Sequence, residues 1–426
     1  MAGNLSCVVI GGGVTGLALA HRLLVLGGGR IGVTVLEAQS RTGGWVESHF
    51  QDGMLMEGGA RSLRVPGNGA TTLKLINELR LSDQILPAAS AAKVRYIWYK
   101  GKRQMIPNSL LSMVGNPLTV PLVSGVALEP FQHRRFIEDE EELEDESMHS
   151  FFSRRLGRFV ADKVLTAVVS GVWAGDARKL SIRSCMPSLV ASERAHGSII
   201  LGGLLGGKTP PVDPEVAHAM KLAGGPNGVF SFRNGLQTLT DRLTSEVKRL
   251  GGDIRMSSKV SAIMSESPCW LKTGKPKAEV WVGRGGDDVI HADHVFSTVS
   301  APVTGTMIKD ADPAAAAQLS QIKNTSVAVI SLAFASARDS AGMGGEGMHG
   351  GGEGARSPPP PPAGASRDVR AEPEDARGEG RGGGGWAQGK GGFGHLIPAG
   401  EGGENAALGV ISTSHVLLIY IDNMYI

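Results

Sequence analysis

Short apolar runs alternate with helical patterns at the beginning of the chain. One apolar run ends at Ile10, and apolar side chains at helical spacing follow it until three consecutive glycines begin at Gly27. A second run, rich in β-branched residues, covers residues 31–36. This order predicts a strand–helix–strand unit over residues 5–40.

Similar patterns predict further elements along the chain. Helical spacing recurs in residues 68–80, 148–169, 187–203 and 236–250, and strand-like runs cover residues 253–256, 278–282 and 289–298. Residues 107–131 are apolar but are interrupted by prolines at 107, 117, 121 and 130, so they cannot form one regular helix. The mixture of helices and strands indicates an α/β protein.

The composition changes abruptly over residues 335–392. This segment holds long glycine tracts and a run of prolines at 358–362, with almost no large apolar side chains. Because such a segment cannot bury enough surface to offset its ordering entropy, we expect a disordered insertion here.

Charge and cysteine content exclude several classes of protein. Basic and acidic residues number 43 and 41, and the net charge of +2 argues against a nucleic-acid binder. The cysteines at 7, 185 and 269 lie too far apart for a zinc motif, and they are too few for a disulfide scaffold. The acidic run at residues 138–146 is interpreted as a solvated segment rather than a binding face for a cationic partner.

His291 and His294 resemble a metal-binding pair at first sight. They lie in the predicted strand at residues 289–298, where side chains at this spacing point to opposite faces. No metal site is therefore predicted.

A glycine motif follows the first predicted strand. Its residues are Gly11, Gly12, Gly13, Val14, Thr15 and Gly16, which fit the pattern G-x-G-x-x-G. The pattern alone is weak, since residues 342–347 also match it inside the glycine-rich segment. The first match lies between a strand and a helix, and Glu37 ends the second strand. Such glycines let a pyrophosphate approach the helix N-terminus and Glu37 can bind ribose hydroxyls, so a dinucleotide site is predicted.

A second glycine element follows Glu37 and Ala38. It contains Arg41, Gly43, Gly44 and Trp45. A cation and two glycines can bring charge and backbone close to the phosphates or the ring of an extended flavin cofactor, which a nicotinamide domain does not need. An ordinary loop with a glycine turn is the alternative.

Further blocks make a family resemblance specific. They cover residues 57–61, 145–157, 198–202 and 392–398, and the most specific is the stretch from Gly171 to Pro187. With the glycine motif, these blocks resemble the protoporphyrinogen oxidase family of FAD enzymes, which lies within the amine oxidase-like flavoprotein superfamily. The resemblance covers residues 5–334 and 393–410, although Ala60 stands where the family more often has proline.

The resemblance implies an α/β fold with a Rossmann-like FAD-binding domain built from discontinuous segments, an α+β substrate domain and a helical membrane-binding domain. The implied boundaries are 1–91 for the first FAD-binding part, 92–205 for the helical membrane-binding and substrate domain, 206–334 for the substrate domain and second FAD-binding part, 335–392 for the insertion, and 393–426 for a substrate-domain strand and an atypical tail. The apolar stretch 107–131 would then lie on a membrane; an ordinary core segment is the alternative.

The resemblance also implies the residues of the site. FAD would contact Gly11, Gly12, Gly13, Val14, Thr15, Gly16, Glu37, Ala38, Arg41, Gly43, Gly44, Trp45, Gly59, Arg61 and Val260. The substrate would contact Arg95, Gly171, Val172, Phe393 and Leu396. A guanidinium at Arg95 suits a propionate, and the other four suit the wall of an apolar macrocycle pocket. No catalytic acid or base is implied.

The implied reaction is the oxygen-dependent oxidation of protoporphyrinogen IX to protoporphyrin IX in haem biosynthesis. FAD would accept hydride, and hydrogen peroxide would be the by-product. The implied partners are protoporphyrinogen IX, molecular oxygen, a membrane surface and a second copy in a homodimer, without nucleic acid. The implied location is the intermembrane-space side of the mitochondrial inner membrane, as a peripheral protein.

The sequence departs from the family in two places. The insertion replaces a short turn, and the chain ends before the closing segment that folds back under the flavin in the family. We therefore expect weak FAD binding, a tendency to aggregate, and a terminal apolar stretch at residues 416–421 with nothing to pack against. The alternative functions are a truncated non-catalytic chain of the same family and another amine oxidase-like enzyme such as a polyene desaturase.

Overall fold

The computed structural model describes residues 5–51, 53–89, 94–107, 110–132, 145–205, 213–265, 278–283 and 288–329, together with strand segments at 331–333, 395–396, 407–412 and 416–421. The predicted insertion at 335–392 and Phe393 lie outside the described residues, as does most of the acidic run at 138–146.

The strands of the described residues are β1 (Leu5–Ile10), β2 (Ile31–Leu36), β3 (Ser48–Gln51), β4 (Met54–Glu57), β5 (Leu63–Arg64), β6 (Ile85–Pro87), β7 (Tyr96–Tyr99), β8 (Lys102–Met105), β9 (Val229–Phe232), β10 (Asp253–Arg255), β11 (Val260–Ser265), β12 (Ala278–Val282), β13 (Asp288–Ala292), β14 (His294–Ser297), β15 (Ser331–Ala333), β16 (His395–Leu396), β17 (Ala407–Ser412) and β18 (Val416–Ile421).

The helices are α1 (Val14–Gly27), α2 (Gly69–Glu78), α3 (Leu110–Met113), α4 (Thr119–Leu128), α5 (Met148–Leu156), α6 (Thr166–Trp173), α7 (Ile182–Cys185), α8 (Pro187–His196), α9 (Ile199–Leu205), α10 (Pro214–Leu222), α11 (Gln237–Arg249), α12 (Ala301–Ile308) and α13 (Pro313–Ser320). Short 3-10 turns occur at Ser82–Gln84 and Glu129–Phe131, and Val160–Leu165 is a π-helix. Among the described residues, no helix has the length and apolar character needed to cross a membrane.

Four strands form a parallel sheet with the order β10-β2-β1-β14. The chain returns to this sheet from distant positions, since β10 and β14 lie more than 200 residues after β2. The strand–helix–strand prediction for residues 5–40 is confirmed: α1 connects β1 to β2 and ends where Gly28 takes a left-handed conformation (φ 54°). The sheet is therefore assembled from discontinuous segments.

The single strand predicted at residues 289–298 is wrong, because the chain forms two strands that meet at Asp293. The backbone N–H of Asp293 donates to the carbonyl of Ser6 (3.0 Å), and its carboxylate accepts from the Ser6 backbone N–H (2.9 Å). The chain thereby leaves the antiparallel sheet β11-β12-β13 and enters the parallel sheet beside β1. His291 and His294 consequently lie on different strands in different sheets.

Two apolar layers cover the parallel sheet. On one side, the antiparallel sheet β11-β12-β13 and α12 pack on it, and the shared cluster is formed by Val8, Ile10, Leu36, Val260, Val280, Ala292 and Met307. On the other side, α1 and α11 pack together, and Ala20, Leu24 and Val247 contact Val9 and Val35 of the sheet. Burial of these side chains on both faces of β1 and β2 explains their near-continuous apolar sequences.

Glycines break two helices that the periodicity predicts as continuous. In residues 148–169, α5 ends before Gly157 (φ 89°), and the π-helical segment separates it from α6. In residues 187–203, α8 ends at Gly197 (φ 69°) before α9 begins. The expectation that residues 107–131 do not form one helix is confirmed, since α3, α4 and a 3-10 turn divide them.

The terminal apolar stretch forms part of a sheet. β18 lies between β15 and β17 in a sheet with the order β15-β18-β17-β16-β7-β8. The expectation that residues 416–421 have nothing to pack against is therefore wrong. β16 pairs with β7 in parallel, and this pairing joins the end of the chain to the hairpin at Tyr96–Met105.

The elements from α3 to α9 form the helical region, residues 110–205 without the undescribed residues 133–144. A buried ion pair connects two of its elements. Arg155 of α5 donates to the carboxylate of Glu129, and both side chains are fully buried. Glu129 also accepts from the backbone N–H of Ile199 (3.0 Å) and from the Ser198 hydroxyl. Burial alone would raise the pKa of Glu129, but these hydrogen bonds and Arg155 lower it overall, so the carboxylate stays charged.

Replacing Glu129 with Gln should lower the free energy of unfolding by about 3 kcal/mol, because the buried Arg155 loses its main counter-charge. Urea unfolding followed by tryptophan fluorescence measures the change. Asp253→Asn is the matched control, since its pair with Arg255 is about half exposed (side chains 51% and 45%) and should contribute less than about 1 kcal/mol. Equal effects of the two substitutions would contradict a structural role for the buried pair.

Candidate functional site

The glycine motif forms a tight turn at the carboxyl end of β1. A Cβ on Gly16 would lie 1.9 Å from the carbonyl oxygen of Gly11, so only glycine permits this contact between strand and helix. Gly11 has φ 104°, a conformation that glycine adopts readily. The Thr298 hydroxyl lies 2.8 Å from the carbonyl oxygen of Ile10 and fixes the same turn from β14.

The N-terminus of α1 opens at this turn and carries no side-chain cap. Gly13 is its N-cap residue, Val14 and Thr15 are exposed, and the first turn has no acidic residue. The first backbone N–H groups of a helix lack intrahelical partners and carry the positive end of the helix dipole. This end of α1 can therefore bind phosphate.

Glu37 lies at the carboxyl end of β2 and faces the same turn. Its carboxylate accepts from the backbone N–H of Gly12 (2.6 Å) and of Gln39 (2.8 Å). A carboxylate has about four acceptor positions, so two remain for ribose hydroxyls. Ala38, which lies between Glu37 and Gln39, is exposed.

The second glycine element packs directly on the first. The backbone N–H of Gly43 donates to the Gly12 carbonyl (2.9 Å), and a Cβ on Gly44 would lie 3.2 Å from the Cα of Gly13. Backbone atoms therefore form this contact between the two elements. The Arg41 guanidinium lies within the loop, where it donates to the carbonyl of Gly44 (2.8 Å) and pairs with Glu47 (3.1 Å).

Gly59 and Arg61 follow β4 beside this loop. A Cβ on Gly59 would lie 1.9 Å from the carbonyl oxygen of Trp45, whose side chain is 89% exposed. Arg61 is partly buried near Glu57. Burial raises the pKa of Glu57, while the Ser48 hydroxyl, the Leu236 N–H and the charge of Arg61 oppose the rise.

Val260 lies close to Glu37 although 223 residues separate them in the sequence. The backbone N–H of Ser258 donates to the Glu37 carbonyl (2.8 Å), and Val260 itself is buried at the beginning of β11. The structure thus brings together the glycine motif, Glu37, the second glycine element, Gly59 and Val260.

The predicted substrate residues are placed on neighbouring elements. Arg95 directly precedes β7, and β16, which contains Leu396, pairs with β7. Gly171 and Val172 lie on α6, which packs against β16 and β17. Val172 is 57% exposed, and Arg95 is partly buried. Phe393 lies outside the described residues.

Two threonines that the sequence did not indicate support the glycine motif and the second glycine element. Thr298 contacts Gly11 and Gly16 from β14, and the Thr244 hydroxyl lies 2.9 Å from that of Thr42 in the second glycine element. Both are single hydroxyls without a sequence motif. The position of Thr298, directly after a strand of the parallel sheet, is the signal that could have identified it.

Comparison with known proteins identifies the family. The family described as flavin containing amine oxidoreductase matches residues 14–361. The chain belongs to this family. Its FAD-binding α/β fold is therefore the amine oxidase flavoprotein fold, and the sequence prediction of FAD as cofactor is confirmed.

Curated relatives place the chain within this family. The human protein named protoporphyrinogen oxidase is 34% identical over 341 residues, which cover 77% of this chain and 66% of that protein. The chain thus spans about two thirds of the length of this relative. Coproporphyrinogen III oxidase of Staphylococcus aureus is 28% identical over 268 residues, 61% of this chain and 55% of that protein.

Solved structures share the fold. A crystal structure from Exiguobacterium sp. 255-15 superposes with a TM-score of 0.61 at 19% identity, and the match covers 98% of this chain and 76% of that one. Wild-type putrescine oxidase bound to putrescine superposes with a TM-score of 0.55 at 13% identity, covering 99% and 76%.

The described residues fit FAD. The uncapped N-terminus of α1 suits the pyrophosphate, and Glu37 keeps acceptor positions for the ribose. The glycine walls at Gly13 and Gly44 let the cofactor approach the backbone. The contacts of individual residues with FAD stay predictions.

Gly16→Ala should weaken FAD binding, because the added methyl group forces α1 away from the Gly11 carbonyl. Loss of one hydrogen bond to a charged phosphate costs about 1.5–3 kcal/mol, so Kd should rise roughly tenfold or more. Quenching of FAD fluorescence measures Kd. Gly32→Ala is the matched control, since its Cβ would meet nothing closer than 3.9 Å. Equal Kd values for the two variants would contradict this assignment.

Proposed function

We propose that the chain acts as an FAD-dependent oxidase of protoporphyrinogen IX in haem biosynthesis. The main support is the 34% identity to the human relative, which extends over 77% of the chain. The placement of Arg95, α6 and β16 beside one another is consistent with one substrate pocket.

The proposed reaction removes six hydrogens from protoporphyrinogen IX in three rounds. Bound FAD supplies the hydride acceptor. In each round the substrate loses one hydride and one proton, and one O₂ is reduced to H₂O₂ as the two electrons leave the enzyme. No described side chain is assigned as a general base. The chain binds the cofactor and substrate, orients the reacting carbon and excludes water.

Arg95 is the proposed partner of a substrate propionate. Burial lowers the pKa of Arg95, and the charge of Arg64 lowers it further. A carboxylate beside the guanidinium would oppose both effects, and its two oxygens match the guanidinium fork. Gly171 and Val172 of α6 and Leu396 of β16 are the proposed apolar wall.

Porphyrin fluorescence of the FAD-loaded chain tests the activity. Porphyrin fluorescence should rise when protoporphyrinogen IX is added. The oxidation should consume one O₂ for every two electrons removed from the substrate. Coproporphyrinogen III serves as the competing substrate, and faster oxidation of it would change the substrate assignment. No oxidation of either substrate despite bound FAD would favour a non-catalytic chain or an enzyme for another substrate class such as a polyene. Failure to bind FAD would support the expectation of a weak cofactor site.

Arg95→Ala should raise KM for protoporphyrinogen IX roughly tenfold or more, the loss expected for a charged hydrogen bond. Arg95→Lys should recover part of the loss because it keeps the charge without the fork geometry. Arg103→Ala is the control, since Arg103 is an exposed cation of the neighbouring strand β8. An unchanged KM in Arg95→Ala would remove Arg95 from the pocket.

We also propose that the protein is peripheral on the mitochondrial inner membrane, on the intermembrane-space side. The segment from α3 to the following 3-10 turn exposes large apolar side chains, including Leu111 (86%), Val120 (77%) and Phe131 (86%). An apolar surface of this kind suits the interface of a lipid bilayer. The homodimer stays a prediction from the resemblance.

Leu111→Asp with Val120→Asp should abolish sedimentation of the chain with phosphatidylcholine–cardiolipin vesicles, because charges replace the apolar contact. Leu26→Asp is the matched control, since Leu26 is equally apolar and 64% exposed but lies on α1 of the FAD-binding domain. If the double variant sediments as the wild type does, this segment is not the membrane contact.

A further inference from the structure

The π-helical segment Val160–Leu165 lies directly before α6. The backbone N–H of Thr166 donates to the carbonyl of Ala161, five residues earlier, instead of the α-helical partner four residues earlier. A π-helical turn holds one residue more than an α-helical turn. Each helical residue turns the chain by about 100°, so this extra residue sets which side chains of α6 face each neighbour.

Asp162 is held in this segment from two sides. Its carboxylate lies 2.6 Å from Nε2 of His149 on α5 and accepts from Arg178 (2.9 Å), which lies after α6. Its carbonyl accepts from the hydroxyl of buried Thr166 (2.6 Å), which occupies the position of the missing α-helical N–H. These contacts anchor both the side chain and the backbone of Asp162 in the π-helical turn.

The rotation of α6 matters because two different apolar clusters pack on it. Ala167 belongs to the cluster of Ile97 and Leu118 beside β7, whereas Val169 belongs to the cluster of Phe151 in the helical region. A shift by one residue would turn Ala167 away from its cluster and would move Gly171 and Val172 as well. The anchored turn therefore fixes the face of α6 that reaches β16.

We propose that Asp162, held by His149 and Arg178, is a positioning residue that fixes the rotational register of α6 and thereby the substrate wall formed by Gly171 and Val172. The inference rests on the proposed function only in assigning this wall to the substrate. Asp162 acts through α6 and not through contact with the reacting atoms.

The cluster is not a hydrolytic triad, although Ser153 lies next to His149. The Ser153 hydroxyl is 3.5 Å from Nδ1 of His149, which is beyond the usual length of an O–H···N hydrogen bond. Arg178 occupies the other side of the cluster, at 3.3 Å from Nε2 of His149 and 2.9 Å from Asp162. The arrangement thus serves to hold Asp162 in place.

Asp162→Ala should release the π-helical turn. We expect KM for protoporphyrinogen IX to rise roughly tenfold, the loss typical of one misplaced apolar group in a pocket, with kcat and the Kd of FAD little changed. Amide hydrogen exchange in residues 164–173 should become faster. Asp310→Ala is the control, because Asp310 is an exposed carboxylate outside the cluster.

Deletion of Lys163 in the Asp162→Ala background gives the decisive comparison. The deletion removes the extra residue of the π-helical turn, so a regular α-helix can restore the register of α6 without the anchor. We expect KM and the protection of residues 164–173 to return to within about threefold of the wild type. A role of Asp162 in stability alone would not be rescued by removing a second residue.

Three outcomes would overturn the inference. They are unchanged exchange and KM in Asp162→Ala, an equal effect of Asp310→Ala, and a KM loss that the deletion does not rescue. If the wild type does not oxidise protoporphyrinogen IX, the proposed function fails. The exchange data then still decide whether Asp162 sets the register, because they need no substrate.

Discussion

The contact between the Gly11 carbonyl and the backbone of Gly16 determines where α1 begins. A methyl group on Gly16 would lie 1.9 Å from this oxygen, so the strand and the helix meet at a distance that no side chain allows. The first N–H groups of α1 consequently face the end of the parallel sheet without an intervening side chain. The Thr298 hydroxyl holds the turn from β14, which ties its position to the last strand of the sheet.

The arrangement around the glycine turn depends on contacts between segments far apart in sequence. Gly43 donates to the Gly12 carbonyl, and Ser258 donates to the Glu37 carbonyl. Glu37 in turn accepts from the N–H of Gly12, so one carboxylate links the glycine turn to the end of β2. The links made by Gly43 and Ser258 join main-chain atoms only, so the sequence shows the first as a glycine and gives no recognisable signal for the second.

Local periodicity predicted the elements that depend on local packing. The strand–helix–strand unit at residues 5–40 agrees with the structure because apolar burial and the glycine stop at Gly28 act together. The single strand predicted at residues 289–298 was wrong because a tertiary contact overrides the pattern. Asp293 divides a continuous strand-like run by bonding to Ser6, about 290 residues earlier, which no local pattern could reveal.

The terminal strand illustrates the same limit. β18 pairs with the neighbouring β17 and also with β15, which lies more than 80 residues earlier in the sequence and which no local pattern indicates. The glycines of the motif and Glu37 could be singled out from the sequence, since their residue types suit cofactor chemistry at a turn, and the structure places them together. The supporting hydroxyls of Thr244 and Thr298 could not be predicted, because many side chains can brace a turn.

The helical region reverses the usual distribution of polarity. Arg155 and Glu129 are fully buried, whereas Leu111, Val120 and Phe131 are largely exposed. In water, a buried ion pair contributes little stability compared with apolar packing, and exposed apolar side chains contribute none. Under the proposal that this segment contacts a membrane, the arrangement becomes favourable, since the apolar side chains then leave water and the internal pair fixes how the helices present them.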